Sequence, residues 1–174
     1  LVGFLTVSPP LTAAAAAVDD AAAVVEAAWL RLAHAAGGTG GRVGGAALDD
    51  HQVLAYDLAH AASAVEAARV MLVYAERGEY ESCLARFFIA DAVADLVAKL
   101  AGREALWGVE AAELAATQPF LEAHRSPAFV ESIAEHLVRA NTGPAHLGDD
   151  FDLVRDTFHR FAADRIRPVA ERVH

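Results

Sequence analysis

A single glycine between two long periodic segments constrains this chain more than any other feature. Before Gly78, apolar residues recur at alternating spacings of four and three, which places them on one face of a helix. They are Leu54, Leu58, Ala61, Val65, Ala68, Leu72 and Ala75. After Gly78, a second helix is predicted from near Glu79 to about Ala101, with the stripe Phe87, Ala90, Ala94, Val97 and Ala101. Because the link is so short, the two helices must form an antiparallel hairpin. Gly78 is expected to end the first helix in the left-handed conformation.

Another long helix is predicted before this hairpin. Thr12 can cap it, and it runs to about Ala36. Its apolar face comprises Val18, Ala22, Val25, Trp29 and Leu32. Residues 37–45 are mostly glycine and are expected to form a flexible loop. Asp49 or Asp50 then caps the first helix of the hairpin.

The helical segments that follow the hairpin are shorter. Gly102 ends the second hairpin helix, and Trp107-Gly108 marks a turn. A helix from Glu110 to about Thr117 is expected to be interrupted by Pro119.

A clear helix start follows at Ser126-Pro127, because serine is a good cap and proline fits the first helical turn. The apolar face of this helix comprises Val130, Ile133, Leu137 and Ala140. The Asn-Thr-Gly-Pro sequence at 141–144 then breaks the chain.

The last predicted helix opens at Asp149 or Asp150, where acidic side chains favour the positive end of the helix dipole. Its stripe is bulkier than the others and comprises Phe151, Val154, Phe158 and Phe161. Pro168 is expected to kink or end this helix.

No strand is predicted. The fold class is therefore all-α, an antiparallel up-and-down helical bundle with an additional C-terminal helix. The predicted parts are an N-terminal arm (1–11), the helical bundle (12–147) and the terminal helix (148–174).

Charge and cysteine content exclude several classes of function. The formal net charge of −10 and the lack of a basic cluster argue against nucleic acid and anionic membranes as partners. The single cysteine, Cys83, rules out an internal disulfide and suits the cytoplasm. No apolar run is long enough for a membrane span. Residues 1–7 are apolar, but no basic region precedes them, which favours an arm over a signal peptide.

The end of the chain resembles the first helix of the acyl-CoA dehydrogenase family. The similar segment is Leu153–His174, with the Phe161-Ala162 pair, the charged Asp164-Arg165 and the run Ile166-Arg167-Pro168-Val169-Ala170. The preceding region resembles an N-terminal helical extension found in a bacterial subgroup of that family. That similarity is carried by residues 55–59, 65–69 and 102–108.

The resemblance implies a parent enzyme that uses FAD to remove the α and β hydrogens of an acyl-CoA. It implies that residues 148–174 are the first helix of the dehydrogenase N-terminal domain, in a chain truncated before the flavin-binding and base-bearing domains. This part alone is then expected to be non-catalytic and to hold no cofactor. No catalytic, cofactor-binding or metal residue is carried over. The expected partners are the remaining domains, a further copy of the chain and, for the parent, acyl-CoA.

Two Asp-x-x-His pairs are the main candidates for metal chemistry. Asp57 with His60 and Asp156 with His159 each share one face of a predicted helix. Four-helix carboxylate metal proteins use Glu-x-x-His at this spacing. Aspartate is shorter than glutamate, however, and surface pairs are the favoured interpretation. Five further histidines are expected to be ordinary exposed residues near helix ends or loops: His34, His51, His124, His136 and His146.

Three other features have simple structural interpretations. The stretch 37–45 lacks the Gly-Lys-Ser/Thr ending of a phosphate-binding loop and is expected to be a linker. Cys83 is expected to be a small core residue. Trp29, Trp107, Phe87 and Phe88 are expected in the core or at an interface.

The phenylalanine stripe of the last helix would pack against later helices in the parent enzyme. In the isolated fragment, where those helices are absent, it is expected to mediate self-association.

The favoured function is a non-catalytic helical region of an acyl-CoA dehydrogenase-like flavoenzyme, which serves assembly or covers the substrate entrance. The alternatives are a stand-alone helical interaction and oligomerisation module, and a four-helix carboxylate metal protein.

Overall fold

Helices make up nearly all of the protein's described structure. The computed structural model describes residues 9–37, 45–140 and 146–173. These ranges contain no β-strand, which confirms the all-α prediction. The α-helices are α1 (Pro9–Ala35), α2 (Gly45–Leu48), α3 (Gln52–Tyr74), α4 (Glu79–Leu100), α5 (Glu104–Trp107), α6 (Gln118–His124), α7 (Pro127–Ala140), α8 (Asp149–Phe161) and α9 (Arg167–Val173). Short 3₁₀ helices cover Asp49–His51, Ala75–Arg77 and Ala111–Thr117, and a π-helical turn covers Ala162–Ile166.

The chain divides into two units, Leu1–Asn141 and Thr142–His174. The first unit contains α1 to α7, and the second contains α8, the π-helical turn and α9. The structural division therefore falls at residue 141, whereas the sequence-based boundary was placed at 147, directly before α8. The predicted arm at 1–11 and loop at 37–45 lie largely outside the described residues.

Three long helices form the core of the first unit. Helices α1, α3 and α4 contact one another in all three pairings, as an antiparallel up-and-down bundle requires. The buried face of α3 contains Leu54, Leu58, Ala61, Val65 and Ala68, as predicted. Alanines on all three helices allow close packing, because a methyl group adds little thickness to a helix. The core is therefore continuous but built largely from small side chains.

The buried face of α4 differs from the predicted stripe. Of the predicted residues only Ala90 is buried, and Ala101 is exposed. The observed core residues of α4 are Cys83, Ala85, Ile89, Ala90, Val93, Leu96 and Leu100. The prediction was partly right, because Ala94 and Val97 are partly buried against the core. Its centre was displaced because α4 carries alanine and valine on several sides, so spacing alone did not identify the face with the larger side chains.

Gly78 joins α3 and α4 in a way that the sequence did not predict. Its φ of 174° and ψ of 176° describe extended backbone, so the left-handed prediction was wrong. A Cβ atom at Gly78 would lie 2.4 Å from Oε2 of Glu81, whose side chain is buried. A larger residue at this position would therefore displace the Glu81 carboxylate.

The starts of α1 and α3 also differ from prediction. Helix α1 begins at Pro9 and not at Thr12, because proline already has a helical φ and first-turn positions need no N–H partner. Helix α3 begins at Gln52, with helical turns already present from Gly45. The N-cap residue of α3 is His51, with no side-chain cap bond, so the prediction of a cap at Asp49 or Asp50 was wrong. Oδ1 of Asp49 instead accepts a hydrogen bond from the Gln52 side chain at 3.3 Å.

Gly108 ends α5 under the side chain of Arg31. Its φ is +72°, the left-handed region that favours glycine. A Cβ atom at Gly108 would lie 2.0 Å from Cδ of Arg31. The guanidinium of Arg31 donates a hydrogen bond to the carbonyl of Ala105 at 3.1 Å, which connects α1 to α5. The predicted turn at Trp107-Gly108 is thus confirmed, and Trp107 is fully buried.

Pro119 lies at the start of a helix and does not interrupt one. The segment Ala111–Thr117 is a 3₁₀ helix with a capping box between Glu110 and Glu113, and α6 begins directly after it. Proline is tolerated there because first-turn N–H groups have no intrahelical partner.

The predicted start of α7 is confirmed, but its predicted apolar face is only partly buried. The Ser126 hydroxyl accepts a hydrogen bond from the Phe129 amide at 3.2 Å, so the predicted cap is confirmed. Of the predicted apolar face, Ile133 is buried, whereas Val130 and Leu137 are exposed.

The second unit is a helix that continues past Pro168. The amide of Arg167 donates to the carbonyl of Ala162, an i to i−5 bond, and α9 then runs to Val173. The helix therefore does not end at Pro168. A proline in a helix lacks a donor and crowds the carbonyl four residues earlier, and a wider turn directly before it relieves that contact.

Replacing Gly108 by alanine tests the contact with Arg31. We expect Gly108→Ala to lower the free energy of unfolding by more than the roughly 1–2 kcal/mol of a left-handed alanine, because Arg31 is also displaced. Gly102 is the matched control, since its φ is +75° and no atom lies within 4 Å of its Cβ position. Gly102→Ala should show the conformational cost alone in urea unfolding. Equal losses for the two variants would contradict the close contact.

Candidate functional site

An apolar cleft between α1 and α3 is a recess of the bundle that could hold a partner. It has a volume of about 560 Å³. We define the α1/α3 cleft by its lining residues, which are Ala22, Val25, Glu26, Trp29, Leu30, Ala33, Ala62, Val65, Glu66 and Arg69. The indole of Trp29 is 37% exposed and Leu30 is 67% exposed, so large apolar groups meet solvent here. Such a surface suits an apolar side chain or an apolar ligand better than a polar substrate.

Three charged residues, Glu26, Glu66 and Arg69, are among the residues that line the cleft. The guanidinium of Arg69 forms an ion pair with the carboxylate of Glu66 one turn away on α3. Both side chains are more than half exposed. A pair of this kind contributes only about 0.3–0.5 kcal/mol to a helix. The ion pair places one positive and one negative group at the edge of the cleft, which Glu26 of α1 also lines.

Each Asp-x-x-His pair makes other contacts within its own unit. The carboxylate of Asp57 forms an ion pair with Arg103, and the His60 ring lies tilted against the Tyr56 ring with centroids 4.4 Å apart. Asp156 contacts Arg155 in the other unit. Across the described ranges, no three His, Cys, Asp or Glu residues lie close enough to share a metal ion.

Cys83 is a buried residue of α4, as predicted. Its Sγ lies 3.2 Å from Nη2 of Arg86, whose Nε donates to the carbonyl of Ser82. The thiol is thus covered by a guanidinium on its own helix. The glycine stretch that could have resembled a phosphate loop lies mostly outside the described residues.

The predicted aromatic core residues are divided between interior and surface. Trp107 is fully buried, Phe87 is half-buried, and Trp29 and Phe88 are exposed at their edges. Trp29, expected in the core or at an interface, lines the α1/α3 cleft. The indole Nε1 of Trp107 has no hydrogen-bond partner among the described groups.

His124 differs most from the sequence interpretation. It lies between two rings, 4.4 Å from the centroid of Phe120 and 4.8 Å from that of Phe129. Its Nδ1 is 3.0 Å from the carbonyl of Phe120, and Arg86 lies over the Phe129 ring. His51, His136 and His146 are also partly buried, and only His34 of the five is exposed as expected. This contact was not predicted from the sequence, because Phe129 approaches His124 only through the turn between α6 and α7.

The environment of His124 disfavours its charged form. Burial lowers the pKa of the imidazole from its ordinary value of 6.5, and the charge of Arg86 lowers it further. The hydrogen bond to the Phe120 carbonyl acts in the opposite direction and only partly offsets these effects. The neutral ring is therefore the form that fits between α4, α6 and α7.

Comparison with protein-family models, with curated proteins and with solved structures finds no match to the chain. The described helices are each too short or too polar to cross a membrane.

The lowered pKa of His124 predicts a pH dependence of stability. Below about pH 6.5 the unfolded chain binds a proton at this position that the folded chain resists, so the free energy of unfolding falls as the pH drops. This loss of stability begins near the pKa of His124 in the unfolded chain and is complete below its lower pKa in the folded chain. We expect His124→Gln to flatten this part of the curve of unfolding free energy against pH.

Urea unfolding of the wild type and the variant in buffers between pH 5 and pH 8 would measure the difference, on the scale of about 1.36 kcal/mol per pKa unit. Because the other histidines are common to both proteins, only the difference between the two curves is interpreted. Parallel curves would contradict the role of His124. Arg86→Gln should give a smaller flattening, because it removes only the nearby positive charge.

Proposed function

We propose that this chain is a non-catalytic helical region of an acyl-CoA dehydrogenase-like flavoenzyme, and that it serves assembly or covers part of the substrate entrance. The bundle is the extension, and residues 148–174 are the first helix of the dehydrogenase N-terminal domain. The parent would bind FAD and oxidise an acyl-CoA to the α,β-unsaturated thioester in the cytoplasm. The described residues of this chain are assigned no step of that reaction.

The terminal helix is the single observation that carries the proposal. The segment that resembles the first helix of the family, beginning at Leu153, is helical through α8, the π-helical turn and α9. No residue of α8 is buried, and its phenylalanine stripe is exposed. A helix with such a stripe offers a packing surface, as expected of an element that completes a larger domain.

The bundle adds a second line of support. Two of the segments that resemble the family extension, 55–59 and 102–108, meet in the fold although they are far apart in the chain. Asp57 and Arg103 form an ion pair, and Leu58 and Trp107 are buried in the same core. The similar residues therefore form one connected part of the bundle.

The α1/α3 cleft favours the second candidate function. Its exposed Trp29 and Leu30 provide an apolar surface that a partner helix could cover, so a stand-alone interaction module is the alternative. No observation in the described ranges favours the third hypothesis, a carboxylate metal protein.

The proposal is tested by two measurements on the protein purified from the cells that naturally produce it, its intact mass and its visible spectrum. We expect a mass several times the 18.3 kDa of this chain, together with flavin absorbance that bleaches when saturated acyl-CoA thioesters are added. Bleaching reports transfer of the hydride to the flavin, so it tests the reaction class directly.

Free coenzyme A is the control, because it has no acyl group to oxidise. A mass equal to that of this chain, with no flavin, would overturn the flavoenzyme proposal and favour the interaction module. Removing residues 12–141 from a flavin-containing parent should keep the flavin but change its oligomeric state or its KM for acyl-CoA. An unchanged KM and oligomeric state would contradict the role of the extension.

A further inference from the structure

Helix α7 is attached to the rest of the first unit by few buried contacts. Among its side chains with described burial, only that of Ile133 is buried. Ile133 lies outside the continuous core, whereas Phe120 and Leu121 of the preceding helix α6 belong to it. A segment with so few buried apolar contacts can open at a lower free-energy cost than the core.

Two of the ring contacts that attach α7 contain a histidine. His124 of α6 and Phe129 of α7 meet almost at right angles, with ring centroids 4.8 Å apart. His136 of α7 lies against Tyr80 of α4, with centroids 6.1 Å apart. Histidine is the side chain whose charge ordinarily changes between pH 5 and pH 8, so the attachment of α7 can depend on pH.

The contacts of His124 fit a neutral imidazole. Its Nδ1 lies 3.0 Å from the carbonyl of Phe120, which can only accept, so Nδ1 carries the single proton of the neutral ring. A second proton would go to Nε2. The ring face of Phe129 could stabilise a cation, but Arg86 of α4 already lies over that ring, 5.2 Å from its centroid. A charged imidazole at this contact would therefore repel Arg86.

No negative side chain offsets this repulsion among the residues that the structure describes. Arg86 is the charged group that acts on the pKa of His124, and it lowers this pKa in the same direction as burial does. Asp91 of α4 pairs with Arg125 instead, at 3.5 Å. The other carboxylates closest along α6 and α7 are Glu122, Glu131 and Glu135, and none of them forms an ion pair with His124.

Arg86 also connects α7 to the thiol of Cys83. Sγ of Cys83 lies 3.2 Å from Nη2 of Arg86, and the same guanidinium contacts the Phe129 ring. Cys83 is only 6% exposed although, like Ile133, it lies outside the continuous core. Its burial therefore depends on Arg86 and on the helix that packs against Arg86.

We infer that α7 is a pH-dependent cover of α4, which detaches when His124 gains a proton and leaves the Cys83 thiol accessible to small reagents. The bundle of α1, α3, α4 and α6 stays folded, because its continuous core contains no described residue of α7. Protonation of one histidine thus opens one part of the chain without unfolding the whole. This inference does not rest on the proposed flavoenzyme function.

The rate of thiol labelling in the full chain tests the inference, because Cys83 is the single cysteine. The probe is 4,4′-dithiodipyridine, which forms a mixed disulfide with a thiol and also reacts in acid. Dividing the rate by that of the urea-unfolded chain at the same pH removes the ordinary pH dependence of the thiol. Each unit by which docking lowers the pKa of His124 multiplies the detached fraction in acid by about ten. We expect the normalised rate to rise about threefold or more from pH 7 to pH 5. A constant normalised rate would overturn the inference.

Two variants and a matched control assign the effect to the His124 contact. His124→Gln should make the normalised rate independent of pH. Phe129→Ala should raise the rate at pH 7 by at least about tenfold, because loss of a packed aromatic ring detaches α7 without acid. His60→Gln is the control, since His60 makes a similar ring contact with Tyr56, but on α3. It should behave as the wild type does. A pH-dependent rise that persists in His124→Gln, or a protected thiol in Phe129→Ala, would contradict the inference.

Hydrogen exchange separates detachment of α7 from unfolding of the whole bundle. After correction for the intrinsic effect of pH, amides of residues 127–140 should exchange faster at pH 5 than at pH 7 in the wild type. Amides of residues 52–74, in α3, should keep their protection. Equal acceleration in both segments would show global unfolding and overturn the inference.

Discussion

The packing of α3 against α4 is the contact on which the rest of the bundle depends. The two helices are joined only by a 3₁₀ turn and Gly78, so they cannot separate without unfolding the connection. The carboxylate of the buried Glu81 lies 2.4 Å from where a Cβ of residue 78 would be, at the point where the chain reverses. Helix α1 then packs on both members of this hairpin, and its Arg31 extends over Gly108 to connect the bundle to α5. Gly78, in extended backbone, thus allows the Glu81 side chain to come close, and Gly108, in left-handed backbone, does the same for Arg31.

Sequence periodicity predicted the class of fold and the buried face of α3, because Leu54 and Leu58 are larger than the alanines around them. It did not predict the buried face of α4, where alanine and valine on several sides leave the periodic signal ambiguous. The cap at Ser126 was predictable because it depends on neighbours three residues away. The contact between His124 and Phe129 was not, since it depends on the path of the chain between α6 and α7. The α1/α3 cleft was hidden for a similar reason, because Trp29 belongs to the predicted core stripe of α1.

The two units present apolar surface of different kinds. The α1/α3 cleft is concave and bordered by the ion pair of Glu66 and Arg69, so it suits a single inserted group. Helix α8 of the second unit carries Phe151, Phe158 and Phe161, all more than half exposed, which suits a long contact with another helix. Among the described residues, Glu81 is the only charged residue with a buried side chain.

The positions of the two tryptophans have a spectroscopic consequence. Trp107 is shielded from solvent in the core, while Trp29 lies at the edge of the α1/α3 cleft. The fluorescence of the protein is therefore the sum of one emitter that a soluble quencher cannot reach and one that it can. A ligand that enters the cleft alters the quenchable part of the emission and leaves the shielded part unchanged. Loss of the core exposes both, so occupancy and unfolding are distinguishable in one optical experiment without an added label.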